Sequence, residues 1–327
     1  MMTDNLRGVS ILTLAMLFFA VEDAFIKFLT GNLPVSQVLG MLALAGAIYF
    51  GTRLRFVGLP FWSRDLLHPA VMIRNGAEAV ASAAIVMALA LTDLSATSAI
   101  MQSVPLFITI GAMFWLREPV AWRRSAAVAC GFAGVLLVLR PGFDGFDPAL
   151  IWAMVAAAGL AVRDLVTRRV PAQVPSHQLS ASAFMALLIA AGILALVLGE
   201  RPEMPDASLA LASAVCIICT LIGYGLLVSA TRIADASVLA PVRYARLVFA
   251  MFIAVIVFGE HLDLPTIAGT VIIVLSGAYT IWREAQLGRP RAVATMPAGT
   301  LPVTPEDPTD DIPSDTPLGS RAAGPTS

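Results

Sequence analysis

Residues 21–37 read VEDAFIKFLTGNLPVSQ, and residues 162–178 read VRDLVTRRVPAQVPSHQ. In both stretches charged residues stand inside an otherwise apolar run, and a proline and a glutamine follow at the same distances. A shift of 141 positions aligns four identical residues: Val21 with Val162, Asp23 with Asp164, Pro34 with Pro175, and Gln37 with Gln178. A shift of 142 positions continues the alignment at Asp93 with Asp235 and at Glu118 with Glu260. The chain therefore contains an internal repeat.

The composition around these stretches is that of an integral membrane protein. Hydrophobic residues make up 58% of the chain and charged residues 13%, and the mean hydropathy is +0.83. An ordinary soluble domain has about a quarter of its residues charged, so the composition excludes that class. The formal net charge of −1 offers no basic surface for nucleic acid.

The apolar runs predict an all-α protein with ten transmembrane helices, because about 20 apolar residues cross a bilayer. The spans lie near 6–29, 34–52, 69–91, 94–116, 123–140, 148–167, 179–199, 208–230, 236–258 and 263–282. Five spans per repeat is an odd number, so the second copy enters the membrane from the opposite side. Such inverted repeats are typical of secondary transporters, whose binding sites lie between the two halves.

The repeat and the composition together predict three units. The first five-helix repeat covers residues 1–141 and the second covers residues 142–285. Residues 286–327 are rich in Pro, Gly, Thr and Asp, a composition that cannot bury a core. We expect this tail to be disordered and cytoplasmic.

The distribution of basic residues predicts that both termini are cytoplasmic, since cytoplasmic loops are enriched in Lys and Arg. With the N-terminus inside, the outer ends of the spans carry three basic residues: Lys27, Arg140 and Arg201. The inner ends then carry thirteen: Arg7, Arg53, Arg55, Arg64, Arg117, Arg123, Arg124, Arg168, Arg169, Arg232, Arg283, Arg289 and Arg291.

Two further segments carry a family resemblance. They read LTDLSATSAIMQSVPLFITIGAMFWLREPVAWRRSAAVACGFAGVLLVLRPG from residue 91 and IADASVLAPVRYARLVFAMFIAVIVFGEHLDLPTIAGTVIIVLSGAYTIWRE from residue 233. They resemble the paired segments of EamA-type transporters in the drug/metabolite transporter superfamily. AVEDAFIKFL and LAVRDLVTRRV are similar to a bacterial branch that includes S-adenosylmethionine uptake and riboflavin carriers. Many relatives have an Arg in the second span, whereas VLGMLALAG has none, so a substrate role for that Arg is not transferred.

Charged residues within the spans are the main candidates for substrate binding, because ionisable groups at membrane depth are costly and mark pathways by default. The spacing of Asp23 with Lys27 and of Arg74 with Glu78 lets opposite charges meet on one helix face. A structural ion pair is the alternative for both, and Lys27 could extend to the interface. Glu22 and Arg163 occupy equivalent repeat positions without an obvious partner. The candidate charged residues are Glu22, Asp23, Arg74, Glu78, Arg163, Asp164, Arg243 and Arg246.

Polar and aromatic residues near two prolines complete the candidate site. Pro105 and Pro241 interrupt the fourth and ninth spans and release carbonyls that only cavity water or other polar groups can satisfy. A simple kink is the alternative. Gln102 and Tyr244 lie beside these breaks, 142 positions apart, and Tyr224 is a further candidate that could instead serve packing.

Other residue patterns predict packing rather than chemistry. Small residues spaced by four, Ala127–Gly131 and Cys130–Gly134, predict close packing of the fifth helix against the tenth helix or in a homodimer. The Cys216–Cys219 pair lies in an apolar run, and reactive thiols need a partly exposed, electropositive setting. The histidines are far apart, so we expect no metal and no cofactor.

The sequence therefore predicts a secondary transporter in the bacterial inner membrane, with the lipid bilayer and a small-molecule substrate as its partners. The embedded charges favour a zwitterionic or anionic metabolite, similar to S-adenosylmethionine or an amino acid. Export of drugs or lipophilic cations is the alternative. A membrane-embedded enzyme would need a nucleophile with its base, or metal ligands at helical spacing, and a purely structural protein would gain nothing from the cost of the embedded charges.

Overall fold

The computed structural model describes residues 2–114, 122–140, 147–234, 239 and 242–286. Within these ranges the regular elements are all helical. They are α1 (Met2–Thr30), α2 (Val35–Val57), α3 (Pro69–Leu91), α4 (Leu94–Met101), α5 (Val104–Phe114), α6 (Trp122–Leu139), α7 (Ile151–Thr167), α8 (Ser176–Leu198), α9 (Ala207–Ile233), α10 (Ala245–Phe258) and α11 (Leu264–Gln286), with short 3₁₀ turns at Arg64–Leu67 and Pro148–Leu150.

Seven stretches of the described chain are long and apolar enough to cross a membrane: Leu6–Thr30, Val35–Val57, Pro69–Leu91, Leu94–Phe114, Pro148–Thr167, Ser176–Leu198 and Ala207–Thr231. They coincide with the first four predicted spans and with the sixth to eighth. The remaining three predicted spans coincide with shorter apolar helices: Ser125–Leu139, Ala245–Phe258 and Leu264–Tyr279. The all-helical membrane class is thus confirmed.

The predicted interruption at Pro105 is present as a break between α4 and α5. Residues 102 and 103 form a turn, and the Ser103 hydroxyl donates a 2.6 Å hydrogen bond to the Ile100 carbonyl. Pro105 stands in the first turn of α5, where a missing N–H removes no helical hydrogen bond. Several other predicted features lie outside the described residues: Pro241, the repeat positions Glu118 and Asp235, and the tail beyond Gln286.

Two glutamates link the ends of later helices to the beginnings of earlier ones. Gly199 and Gly259 end α8 and α10 with φ of 66° and 65°, a left-handed conformation that favours glycine. Glu200 directly follows Gly199, and its carboxylate accepts hydrogen bonds from the backbone N–H groups of Val35 and Ser36, at 3.2 and 2.8 Å. The first turn of α2 therefore obtains its hydrogen-bond acceptor from the other half of the chain.

Glu260 caps the first turn of α4 in the same way. Its carboxylate accepts the backbone N–H groups of Leu94 and Ser95, at 2.7 and 3.0 Å, and the Ser95 hydroxyl at 2.7 Å. By contrast α9 is capped locally, since the Asp206 carboxylate accepts the N–H of Leu209 and the hydroxyl of Ser208. These two hydrogen bonds hold the pKa of Asp206 below its usual range.

The core forms where helices of the first half pack on helices of the second. The four most extensive pairings are α1 with α9, α3 with α7, α6 with α11, and α2 with α8. The pattern is reciprocal, because the first helix of each half packs on the third main helix of the other half. In the same way, the first helix of each half packs on the fourth span of the other half, through the α1–α10 and α5–α7 contacts. Charged residues on α1, α3, α7 and α10 are thereby brought to the interface between the halves.

The small residues of α6 face α11 within the same chain. A Cβ added at Gly134 would lie 2.8 Å from the Gly269 carbonyl oxygen, so the two backbones are in direct contact. The Ser276 hydroxyl of α11 donates to the Ala127 carbonyl of α6, whereas Cys130 is exposed. Packing of α6 against α11 is thus present, and a homodimer stays a prediction.

Candidate functional site

Two helices contribute a buried group of four charges, which we call the α3–α7 cluster: Arg74, Glu78, Arg163 and Asp164. Arg163 donates from Nη1 to Glu78 Oε1 at 3.0 Å and from Nε to Asp164 Oδ1 at 2.8 Å. Arg74 Nη2 donates to the other oxygen of Glu78, at 3.1 Å. The pairing of Arg74 with Glu78 that their spacing allowed is therefore present. Two bases and two acids give this cluster no net charge.

Polar neighbours extend the α3–α7 cluster towards α8. Arg74, 1% exposed, also donates from Nη1 to Asn75 Oδ1 at 2.8 Å, and Asn75 Nδ2 donates to Ser182 Oγ at 2.9 Å. Within the described part of the chain, Asp164 Oδ2 is buried and has no hydrogen-bond donor. Arg243 lies close enough to Asp164 to act on it electrostatically. One carboxylate oxygen of Asp164 is thus hydrogen-bonded to Arg163, and the other has no described donor.

A second group, the α1–α10 cluster, comprises Glu22, Asp23 and Arg246. Arg246 binds Asp23 through two hydrogen bonds, from Nε at 2.9 Å and from Nη2 at 2.7 Å. Glu22 Oε1 instead accepts a 2.9 Å hydrogen bond from the Thr220 hydroxyl of α9. The guanidinium of Arg246 also lies over the Phe19 ring, 5.4 Å from its centroid. Two acids and one base give this cluster a net charge of −1.

The pairing of Asp23 with Lys27 that their spacing allowed is not present among the described residues. Lys27 Nζ donates to the Thr92 carbonyl at 2.6 Å and lies 3.7 Å from Glu260. Lys27 stands one turn nearer the end of α1, where the connector between α3 and α4 approaches, and Asp23 faces α10.

In the connector between α3 and α4, burial raises the pKa of Asp93, and the nearby Glu260 carboxylate acts in the same direction.

Four aromatic rings form a group that approaches the α3–α7 cluster through Tyr224. Phe50 stacks on Phe184 with centroids 5.5 Å apart, and it meets the rings of Tyr49 and Tyr224 edge-on at 5.1 and 5.6 Å. The Tyr224 hydroxyl hydrogen-bonds with Ser180, and it lies within electrostatic range of Arg74 and Glu78. Tyr224 therefore joins the aromatic rings to the charges.

Gln102 and Tyr244 are placed differently from the charged residues. Gln102 lies in the turn between α4 and α5, half-buried. Tyr244 is buried, and its hydroxyl packs against Gly277 of α11 so closely that a Cβ added there would overlap it. Neither side chain has a described hydrogen bond to the two clusters.

Sequence reasoning missed several residues of this region: Ser180, Asn75, Ser182, Thr220, Phe50 and Phe184. Thr220 alone had a signal in the sequence, because it is the repeat counterpart of Glu78 (220 − 142 = 78). Cys216 and Cys219 are buried, and Cys216 Sγ lies 3.9 Å from the Glu22 carbonyl. Among the described residues no group of three or more His, Cys, Asp and Glu side chains could hold a metal ion.

Comparison with known proteins gives matches along most of the chain. The EamA-like transporter family matches twice, at residues 6–140 and 147–282. An S-adenosylmethionine uptake transporter of Rickettsia felis is 28% identical over 197 residues, which cover 60% of this chain and 66% of the relative. A riboflavin transporter of Vibrio cholerae is 30% identical over 205 residues, covering 60% and 65% respectively. The match thus spans just under two thirds of these relatives' length.

A solved crystal structure of another protein has the same fold. It aligns with a TM-score of 0.54 and 18% identity, over 85% of this chain and 98% of that one. At this identity the likeness concerns the fold alone.

Proposed function

This chain belongs to the EamA-like transporter family, and we propose that it moves a small zwitterionic or anionic metabolite across the bacterial inner membrane by alternating access. Membership of this family makes it a multi-pass membrane transporter rather than an enzyme. The observation that carries the proposal is the pair of charge clusters at the interface between its two halves, because embedded charges are costly unless they serve a pathway.

The proposed architecture has ten spans in two inverted five-helix repeats, residues 1–141 and 142–285, with both termini cytoplasmic. Three observations support the two repeats: the sequence shift of 141 to 142 positions, the two separate family matches, and the reciprocal packing of helices between the halves. Inverted repeats carry their substrate at the interface between the halves, where the two clusters lie.

The net charges of the two clusters favour a substrate with separated charges. The α1–α10 cluster has a net charge of −1. The α3–α7 cluster is neutral by itself, and the positive charge of Arg243 acts on its Asp164. A carboxylate would be attracted to the second region and a cationic group to the first. S-adenosylmethionine carries a carboxylate, an ammonium group and a sulfonium, so it fits this distribution of charge.

The four aromatic rings favour a substrate that also contains a flat ring. Aromatic side chains bind such rings by stacking, and Tyr224 joins them to Arg74 and Glu78. S-adenosylmethionine and riboflavin, the compounds named for the relatives, both contain a flat heteroaromatic ring. We therefore propose Tyr49, Phe184 and Tyr224 as ring contacts and Arg243 as the carboxylate contact.

Flux into proteoliposomes tests the substrate. We expect radiolabelled S-adenosylmethionine to exchange by counterflow, and unlabelled zwitterionic metabolites to compete with it better than ethidium does. Arg243→Ala should raise the concentration of zwitterionic metabolite needed for competition by about ten- to a hundredfold. This is the usual effect of losing a charge-assisted hydrogen bond. Arg201→Ala, at an exposed arginine in a connector, is the matched control. If ethidium competes best and Arg243→Ala has no effect, the chain carries lipophilic cations instead.

Cysteine labelling tests the topology. Met204 is 97% exposed and Phe56 is 88% exposed, and they lie at opposite ends of the spans in the N-in arrangement. In a background where Cys130, Cys216 and Cys219 are replaced by Ala, a membrane-impermeant maleimide should label Met204→Cys in intact cells. It should label Phe56→Cys only after the cells are opened. Labelling of Phe56→Cys from outside would reverse the proposed orientation.

A further inference from the structure

Glu22 is bound unlike the other embedded acids. Its neighbour Asp23 receives both described hydrogen bonds of Arg246, and Glu78 receives hydrogen bonds from two arginines. The described hydrogen-bond partner of the Glu22 side chain is a neutral hydroxyl, that of Thr220, which also lies 2.9 Å from the Cys216 carbonyl oxygen. Within the described residues no ion pair joins Glu22 to a base. An embedded carboxylate without its own cation is costly as an anion.

The internal repeat shows which residues of the other half correspond to Glu22 and its neighbours. Glu22 corresponds to Arg163 (22 + 141 = 163), Thr220 to Glu78 (220 − 142 = 78), and Cys216 to Arg74 (216 − 142 = 74). The 2.9 Å hydrogen bond between Thr220 and Glu22 therefore occupies the place of the 3.0 Å bond between Arg163 and Glu78. One half of the protein has a compensated group of four charges here, whereas the corresponding positions of the other half hold two carboxylates, Glu22 and Asp23, of which Glu22 contacts a hydroxyl.

We propose that Glu22 is a proton-binding site and that each transport cycle carries a proton on its carboxylate, an inference that rests on the proposed transport function. In the described chain, the titratable and charged groups that act on Glu22 are Asp23 on its own helix, Arg246 of α10, and the thiols of Cys216 and Cys219 of α9. The charge of Asp23 is compensated, because both its oxygens accept hydrogen bonds from Arg246.

Protonation of Glu22 changes the α1–α10 cluster from a net charge of −1 to zero. The carboxylate takes a proton from water on one side of the membrane and forms an O–H bond, and this bond breaks when the proton returns to water on the other side. Glu22 is half-buried, and the inference requires that water reach it from each side of the membrane in turn. Helix α1 packs on both α9 and α10, so a neutral Glu22 lowers the electrostatic cost of moving these helices past one another.

Two measurements test this inference. In proteoliposomes loaded with a pH indicator, a gradient of S-adenosylmethionine should change the internal pH with the wild-type protein. With Glu22→Gln the proton flux per molecule transported should fall at least tenfold, and Glu203→Gln, at an exposed connector acid, should match the wild type. In purified protein without substrate, pH-difference infrared spectra should contain a protonated carboxyl band that is lost in Glu22→Gln.

Thr220→Val separates proton binding from a merely structural role. Thr220→Val removes the described hydrogen-bond partner of the Glu22 carboxyl group, so the midpoint of the infrared band should differ from that of the wild type by about 1–2 pH units. A purely structural contact would leave this midpoint unchanged. An unchanged midpoint, the same band in wild type and Glu22→Gln, or normal proton flux in Glu22→Gln would each overturn the inference. If the wild type shows no counterflow of S-adenosylmethionine, the proposed substrate is wrong, and the infrared measurement still decides the role of Glu22.

Discussion

Replacing Arg163 with Met is expected to lower the free energy of unfolding by about 3–5 kcal/mol, the usual cost of removing one partner from a buried ion pair. Arg163 donates to both Glu78 and Asp164, at 3.0 and 2.8 Å. Its loss leaves two acids with one base of the cluster, Arg74, which of these two acids is hydrogen-bonded to Glu78 and not to Asp164. Transport should be lost together with stability. Chemical unfolding in detergent micelles measures the first effect, and flux in proteoliposomes measures the second.

The double variant Arg163→Met, Asp164→Asn is the test of this explanation. It removes one base and one acid, so the Arg74–Glu78 pair is again balanced, and a large part of the lost stability should return. Arg53→Met, at an exposed arginine of α2, should change stability by less than about 0.5 kcal/mol. If Arg163→Met changes the free energy of unfolding as little as Arg53→Met does, the α3–α7 cluster does not behave as a buried ion-pair network.

Gly269→Ala is expected to destabilise the protein by about 1–3 kcal/mol, because the new methyl group has no space. Its Cβ would lie 2.6 Å from the Gly134 carbonyl oxygen and 2.7 Å from Val138 Cγ2. One of these atoms belongs to the backbone of α6, so a side-chain rotation cannot remove the overlap and the two helices must separate. Thermal unfolding in detergent, followed by circular dichroism, measures the effect.

Gly192→Ala in α8 is the matched control, because a Cβ there meets no atom within 4 Å. Alanine is favoured over glycine within a helix by about 0.5–1 kcal/mol, so this variant should be as stable as the wild type or more stable. Similar effects of the two substitutions would mean that α6 and α11 are not in backbone contact in the membrane.

The positions of the helices could be predicted from the sequence because each span is a local property. A run of about 20 apolar residues, ended by Gly, Pro or charged residues, determines a span without knowledge of its neighbours. The ion pair of Arg74 with Glu78 was predictable for the same reason, since its spacing lies within one helix.

The other contacts of the candidate site join residues that are distant in sequence. Asp23 and Arg246 are 223 positions apart, and whether Asp23 binds this arginine or the nearby Lys27 depends on which helix packs against α1. The aromatic rings gave no sequence signal, because Phe50 and Phe184 look like any other apolar residue of a span. Pairing between helices is decided by packing, which the pattern of one helix does not contain.

The caps supplied by Glu200 and Glu260 have a consequence for the biosynthesis of the chain. Helices α2 and α4 are synthesised long before residues 200 and 260, and their first N–H groups have no partner from these carboxylates until the second half has entered the bilayer. During that interval the first half is an incomplete folding unit. Residues 2–140, produced without the rest, would therefore depend on chaperones or on a separately expressed second half to escape degradation.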